Sequence, residues 1–327
     1  MSMTAGASEV YREQVVPPPR ENGCCQGTAP FVVVTRGRAP PLAELGLEPA
    51  GDGRMWLDGH YRSALEHAGL AAFEQVMGSS RGRCLRVLGD RENWYLGPAD
   101  LGAAPGRPAS GMYLKKHCRR TWATWLWAKL GLRPGPGAGR AEAQYASLLA
   151  ALGIPVMRVV ACGEDLRDDG RLESFLLTEE LFGYSELEGF LRRRFSRGQS
   201  PGWRDGELRG LLGQVAWIAR RLHASGYNHR DLNCYHFLVR EPRPGRFEVR
   251  LIDLQRVQHR RRRRRRWIVK DLAQLAASAP EGIGCREKIA FLREYLGIRR
   301  LGPRDKRLVR SILLKQRLMA WRQRRKA

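Results

Sequence analysis

Residues 227–239 read Tyr-Asn-His-Arg-Asp-Leu-Asn-Cys-Tyr-His-Phe-Leu-Val, and Leu251-Ile252-Asp253-Leu254 follows soon after. No other part of the chain constrains its fold as tightly. Asp231 stands at the mouth of a loop that runs into an apolar strand, and Asp253 stands at the end of another. Two acids set this way can face one cleft. One accepts or orients the proton of an attacking hydroxyl, and the other holds a divalent cation against phosphates. A charged surface turn before an ordinary hairpin is the plain alternative, since His-Arg-Asp alone arises by chance. A second Asp in register, with strands on both sides, weighs against it.

The upstream segments fall in the order of a protein-kinase catalytic domain. Tyr61, Leu65, Leu70, Phe73 and Val76 predict a helical hairpin broken at Gly69. Residues 84–88 and 94–96 predict paired strands joined by a turn over 89–93, and 112–115 a third short strand ending in lysine. Lys115 is the expected phosphate contact. Lys116 must point the other way, because strand side chains alternate; two solvated lysines at a strand end are the alternative. Only Gly89 serves the turn, so backbone amides and Arg91 are expected to roof the phosphates in place of a glycine-rich loop. Residues 119–127 mix cations with Trp122, Trp125 and Trp127, which reads first as a packed helix face. Stacking on bases or seating at a membrane interface are the alternatives. After a linker at 134–137, a helix over 140–152 carries Glu142 in its first turn, where it can orient Lys115 or simply favour a helix start. Residues 175–181 predict a buried strand leading to a hinge at Glu180 that would hold adenine through backbone groups. Residues 207–225 predict a long amphipathic helix closed by Gly226, with His223 structural.

In the site itself, His236 occupies the place where a kinase carries Asn. A neutral ring nitrogen replaces an amide oxygen poorly as a Mg²⁺ ligand, so Asp253 is the main metal ligand and His236 a secondary ligand or a phosphate contact. His229 and Arg230 flank Asp231 and, with Asp271 at the start of a helix over 267–277, support the loop. The interval after Asp253 is too short for a peptide-binding segment and holds seven consecutive arginines, Arg260 to Arg266. Arg260, Arg261 and Arg262 are the expected contacts to an anionic acceptor, with an inert solvated run as the alternative.

Composition bounds the partners. The formal charge is +25 across 327 residues, which predicts attraction to a polyanion: nucleic acid, an acidic membrane face, or a phosphorylated lipid or sugar. Nucleic acid is not the partner expected, although an arginine run can contact phosphates without reading sequence. Seven cysteines, an odd number without a CxxC pair, argue for reduced thiols and against disulfides or zinc. Cys24-Cys25 reads as an incidental loop pair. No signal peptide is evident at the start. The basic segment 304–326 predicts an amphipathic helix able to lie on an acidic membrane.

Several segments resemble the bacterial lipopolysaccharide core kinases, which phosphorylate heptose or Kdo sugars of the inner core. They are residues 228–238, 252–256 and 267–275, with Tyr-Leu-Lys-Lys-His at 113–117, Ala-Glu-Ala-Gln-Tyr at 141–145 and Leu-Gly-Ile-Pro-Val at 152–156. The likeness spans about residues 55 to 280, and the His at position 236 is similar to that of the heptose-kinase branch. It implies an α+β, two-lobed protein-kinase-like fold with a small β-rich N-lobe and a mostly helical C-lobe. It also implies ATP and Mg²⁺, a lipopolysaccharide core sugar as acceptor, and a cytoplasmic enzyme peripheral to the inner membrane. Asp231 would be the catalytic acid, Asp253 the metal ligand, and Lys115 with Glu142 the phosphate pair. The expected division is an extension over 1–53, an N-lobe over 54–180 and a C-lobe over 181–327. Two other readings stay open: a kinase-shaped scaffold that binds anionic lipid or nucleic acid, and a small-molecule phosphotransferase, which would more usually carry Asn at position 236.

Overall fold

The computed structural model describes residues 41–102, 110–132, 135–194, 205–260, 262 and 264–325. The expected strand near Phe31, the Cys24-Cys25 pair and Arg261 lie outside them. Among the described residues regular structure starts at Leu42, ahead of the expected N-lobe boundary at 54. A 3-10 turn, Leu42–Leu45, leads to β1 (Glu48–Ala50) and β2 (Met55–Leu57), with Leu42, Leu47 and Ala50 buried. Next come α1 (Arg62–His67), α2 (Phe73–Gly78), β3 (Arg83–Leu88), β4 (Arg91–Leu96), β5 (Met112–Arg120), α3 (Trp122–Lys129), α4 (Ala138–Ala151), β6 (Val159–Leu166) and β7 (Arg171–Glu179). The strands form one antiparallel sheet in the order β1-β2-β6-β7-β5-β4-β3.

The sheet is covered on both faces where it matters, which is why β7 is buried along Glu173–Thr178. On one face α1, α2 and the turn between them set Leu65, Leu70, Phe73 and Val76 against Met112, Leu114, Phe175 and Leu177. Each such side chain, fully buried, is worth about 1.5–3 kcal/mol. On the other face lies α4. Its approach requires Gly139, because a Cβ there would stand 2.5 Å from the main chain of Phe175.

The third strand runs to Arg120 rather than stopping at Lys115, since its pairing with β7 continues from Met112↔Glu179 to Arg120↔Arg171. Lys115 is therefore in mid-strand. The β3–β4 turn is Gly89-Asp90 alone, shorter than the expected 89–93. The tryptophan segment is helical but does not pack as expected: Trp122 is 79% exposed.

The C-lobe continues with β8 (Ser185–Glu186), α5 (Leu187–Arg194), α6 (Asp205–Ala224), β9 (Tyr227–Asn228), β10 (Phe237–Arg243), β11 (Arg246–Leu251), β12 (Gln258–His259), α7 (Arg264–Ser278), α8 (Cys285–Leu296) and α9 (Pro303–Arg324). Leu211, Val215, Ile218 and Leu222 of α6 form the centre of a core shared with β10, β11 and α7. Part of the arginine run is thus the first turn of α7. Among the described residues no helix is long and apolar enough to cross a membrane.

Candidate active site

Alternation along β5 decides between the two lysines. Lys116 turns to the α2 side, where its Nζ donates to the carbonyls of Met77 (2.9 Å) and Ser79. Lys115 turns to the cleft, with its Nζ 2.8 Å from Glu142 Oε1 on α4. Glu142 is fully buried. The same Oε1 accepts from the Leu254 amide at 3.3 Å, which ties the N-lobe pair to the segment carrying Asp253. Oε2 is buried without a partner.

In the C-lobe, the loop after β9 is fastened from beneath by Asp271 of α7, which is fully buried. Its Oδ2 accepts from the His229 amide (2.9 Å) and its Oδ1 from the Arg230 amide (2.8 Å). Asn228 Nδ2 (3.4 Å) and His223 Nε2 (3.2 Å) also point at Oδ2. His223 Nδ1 lies 2.9 Å from the Tyr295 hydroxyl, so His223 is structural as its helix position implied. His229 donates Nε2–H to the Ile252 carbonyl (3.2 Å) and is held neutral, its pKa driven down to about 4 by burial. Arg230 spreads its guanidinium over Trp267, 5.2 Å from the ring centre.

Arg230 and Asp253 have left-handed backbone, with φ of 67° and 57°. Among the described residues they are the only non-glycines that do, and both flank the cleft. Strain of this kind persists only where surrounding contacts over-determine it, and it clusters at functional sites.

Asp231 Oδ1 accepts from Asn233 Nδ2 and Gln274 Nε2, each at 3.0 Å. Oδ2 faces Arg256 Nη1 at 3.3 Å. Burial would raise the pKa of this carboxyl. The Asn233 hydrogen bond and the nearby His236 and Arg256 outweigh that and hold it below the usual carboxylate range. Asp231 is thus kept as an anion with its oxygens oriented.

His236 joins the two acids. Its Nδ1 lies 2.7 Å from the Asp231 carbonyl, to which only an N–H can bond, and Nε2 lies 3.3 Å from Asp253 Oδ2. Nε2 is thereby aimed at the Asp253 carboxylate, and a divalent ion between the two would be met by a ring nitrogen on one side and an oxygen on the other. The described residues hold no cluster of three or more His, Cys, Asp or Glu side chains suited to a metal. A Mg²⁺ here would draw its remaining ligands from phosphate and water, the usual arrangement in nucleotide sites.

The other predicted residues fall as follows. Glu180 commits its amide to Gly111 O (2.9 Å), and its Oε2 accepts from Gly111 N (2.7 Å) and Tyr95 OH (3.0 Å). It ties the segment after β7 to β4 and to the residue before β5. Arg91 does not roof the cleft alone, because its Nη1 donates to Gln255 Oε1 (3.2 Å), bridging the lobes. Arg260 lies over Trp267 at 4.9 Å, the ring that Arg230 also contacts, while Arg262 is exposed. Sequence reasoning missed Gln274, Arg256 and Asn233. Gln274 is one helical turn beyond Asp271, and that i, i+3 spacing was the available signal.

Comparison with known proteins agrees with this geometry. Residues 113–295 match the model of the Lipopolysaccharide kinase (Kdo/WaaP) family. The chain is 35% identical over 223 residues to the lipopolysaccharide core heptose(I) kinase WaaP of Pseudomonas aeruginosa, covering 65% of this chain and 77% of that one. To the protein of the same name from Escherichia coli K12 it is 32% identical over 191 residues, covering 57% and 70%. A solved structure of WaaP in complex with acyl carrier protein superposes with a TM-score of 0.56 at 28% identity, covering 83% of this chain and 97% of that one. The match spans Lys115, Glu142, Asp231, Asp253 and Asp271 alike, and this chain belongs to the lipopolysaccharide kinase (Kdo/WaaP) family.

Proposed function

We propose that the chain transfers the γ-phosphoryl group of ATP to a hydroxyl of a heptose or Kdo sugar in the lipopolysaccharide inner core. The observation that carries this reading is the convergence of the Lys115–Glu142 pair, Asp231 and Asp253 on one cleft, joined by Leu254 and His236. Lys115, held by Glu142, would meet the phosphates. Asp253 and His236 would hold Mg²⁺, which neutralises charge on the phosphates when bound. Asp231, kept anionic, orients the sugar hydroxyl and accepts its proton as the new P–O bond forms. Arg256 already touches Asp231, and Arg230 and Arg260 both lie against the Trp267 ring. These cations, with Arg262 and Arg261 further along the run, would meet anionic groups of the acceptor. The functional division would follow the lobes, 54–180 for nucleotide and 181–327 for acceptor. The +25 charge supports peripheral contact with an anionic membrane face.

The test is ATP-dependent labelling of core oligosaccharide by the purified protein. Asp231→Ala and Asp253→Ala are each expected to cut it by about a thousandfold or more with the thermal midpoint little changed. Labelling by either variant at the wild-type rate sinks the assignment. A Mg²⁺-dependent thermal shift with ATP separates the enzyme from a kinase-shaped scaffold, which would show none.

A further inference from the structure

The N-lobe carries an apolar surface that the proposed chemistry does not use. On α3 and its exit, Trp122 is 79% exposed, Leu130 59%, Leu132 48%, Trp125 45%, Leu126 41% and Trp127 40%. Of the helix only Thr124 is buried. The helix is nevertheless firmly built. Thr121 and Thr124 cap it reciprocally, and Gly170 of the β6–β7 turn lies so close to Trp125 that a Cβ there would meet its backbone at 2.4 Å. Soluble proteins rarely leave this many large apolar groups together in water.

Charge and position narrow what covers them. Exposed Arg119 and Arg120 precede the helix and Lys129 ends it, with Asp168 and Asp169 the acids of the neighbouring turn. Asp169 is already paired with Arg171 at 2.7 Å. Indoles mixed with Lys and Arg suit the boundary between acyl chains and anionic headgroups. The site of attachment matters too. β5 begins at the hinge and ends, at Arg120, beside the Gly89-Asp90 turn, where Cys118 N donates to Asp90 O at 2.8 Å. So α3 projects from the end of the cleft opposite the hinge, on the side of Arg91 and Gln255. A second exposed strip, Leu314, Leu318 and Trp321 on α9, belongs to the C-lobe, where α9 packs against α7.

We infer that α3 is a membrane-docking element that seats Trp122, Leu126 and Leu130 in an anionic phospholipid surface and presents the acceptor end of the cleft to it. Its purpose rests on the lipid-linked acceptor proposed above. The docking itself does not.

The test uses the full-length chain and co-flotation with vesicles of pure phosphatidylcholine or of phosphatidylcholine with phosphatidylglycerol. Binding to the anionic vesicles is expected. The triple variant Trp122→Ser/Leu126→Ser/Leu130→Ser should weaken it by about tenfold or more, and Trp122→Phe should largely retain it. Circular dichroism and the ATP thermal shift of the triple variant should match wild type, and labelling of delipidated core oligosaccharide should change less than about twofold. That last arm separates failure of docking from failure of the kinase reading. Three outcomes overturn the inference: no binding by wild type, undiminished binding by the triple variant, or a wild-type dimer that the triple variant converts to monomer, which would make the face a protein interface.

Discussion

Two buried carboxylates hold the two halves of the cleft, and they are satisfied very differently. Asp271 has donors on both oxygens: the Arg230 amide on Oδ1, and the His229 amide, Asn228 and His223 on Oδ2. Glu142 concentrates its contacts on Oε1, which meets Lys115 and the Leu254 amide, and leaves Oε2 unpartnered. The loop that carries Asp231 is therefore held through both oxygens of its carboxylate partner, whereas the N-lobe pair is held through one.

Isosteric amides make this contrast measurable. In Asp271→Asn, either orientation of the amide turns an NH₂ toward a backbone N–H already aimed at that position. The substitution should cost about 3 kcal/mol of stability, the scale of a buried donor left unmet, and urea unfolding would read it. In Glu142→Gln, the NH₂ can take the place of Oε2, where no donor stands. Stability should change by less than about 1 kcal/mol, while labelling falls about a hundredfold because Lys115 loses its counter-charge. Equal stability losses in the two variants would erase the distinction.

The same contrast explains what could be read from the chain without coordinates. Each end of the clamp carries its own pattern: Asn228 to Asp231 are consecutive, and Asp271 lies within a recognisable helical segment, although in the middle of α7 rather than at its start. Glu142 and Lys115 could be ordered along the chain, but not their link through the Leu254 amide. That bond joins residues 142 and 254, and only packing of the lobes brings them together. The length of β5 was hidden for the same reason, since Cys118 to Arg120 are strand because Arg171 to Glu173 pair with them. Burial was least legible of all. The three indoles of α3 looked like core, and nothing in their own spacing says that no second layer covers them.

Acid should loosen the molecule through two histidines, one in each half. His117 on β5 and His229 in the loop are both kept neutral, chiefly by burial, with pKa values lowered to about 4. The unfolded chain binds these protons first, near pH 6.5. The contribution to stability is therefore full above pH 6.5 and is lost as pH falls from there toward 4. Each group should cost about 2 kcal/mol between pH 7.5 and 5, which unfolding curves at the two pH values would show. His229→Gln keeps a donor for the Ile252 carbonyl and should flatten that slope by about half. An unchanged slope would mean that His229 is not the buried neutral group described.

The smallest effect expected is the one that defines Gln274. It sits on α7 one turn past Asp271, so the helix that clamps the loop backbone also reaches the Asp231 carboxylate. Its Nε2 donates to Asp231 Oδ1 at 3.0 Å, beside the Asn233 bond, while Arg256 faces the other oxygen. A donor that only orients an anion should matter to turnover and not to nucleotide binding. Gln274→Ala leaves the Asn233 bond in place, so kcat should drop about fivefold, one weak orienting hydrogen bond by the usual scale, with KM for ATP unchanged. Gln274→Glu sets a second carboxylate against Asp231 and should do worse than Ala, although it is nearer in size. If Glu and Ala prove equal, Gln274 merely fills space. If Glu is worse and Ala mild, α7 holds the loop from below with Asp271 and trims the aim of Asp231 from the side.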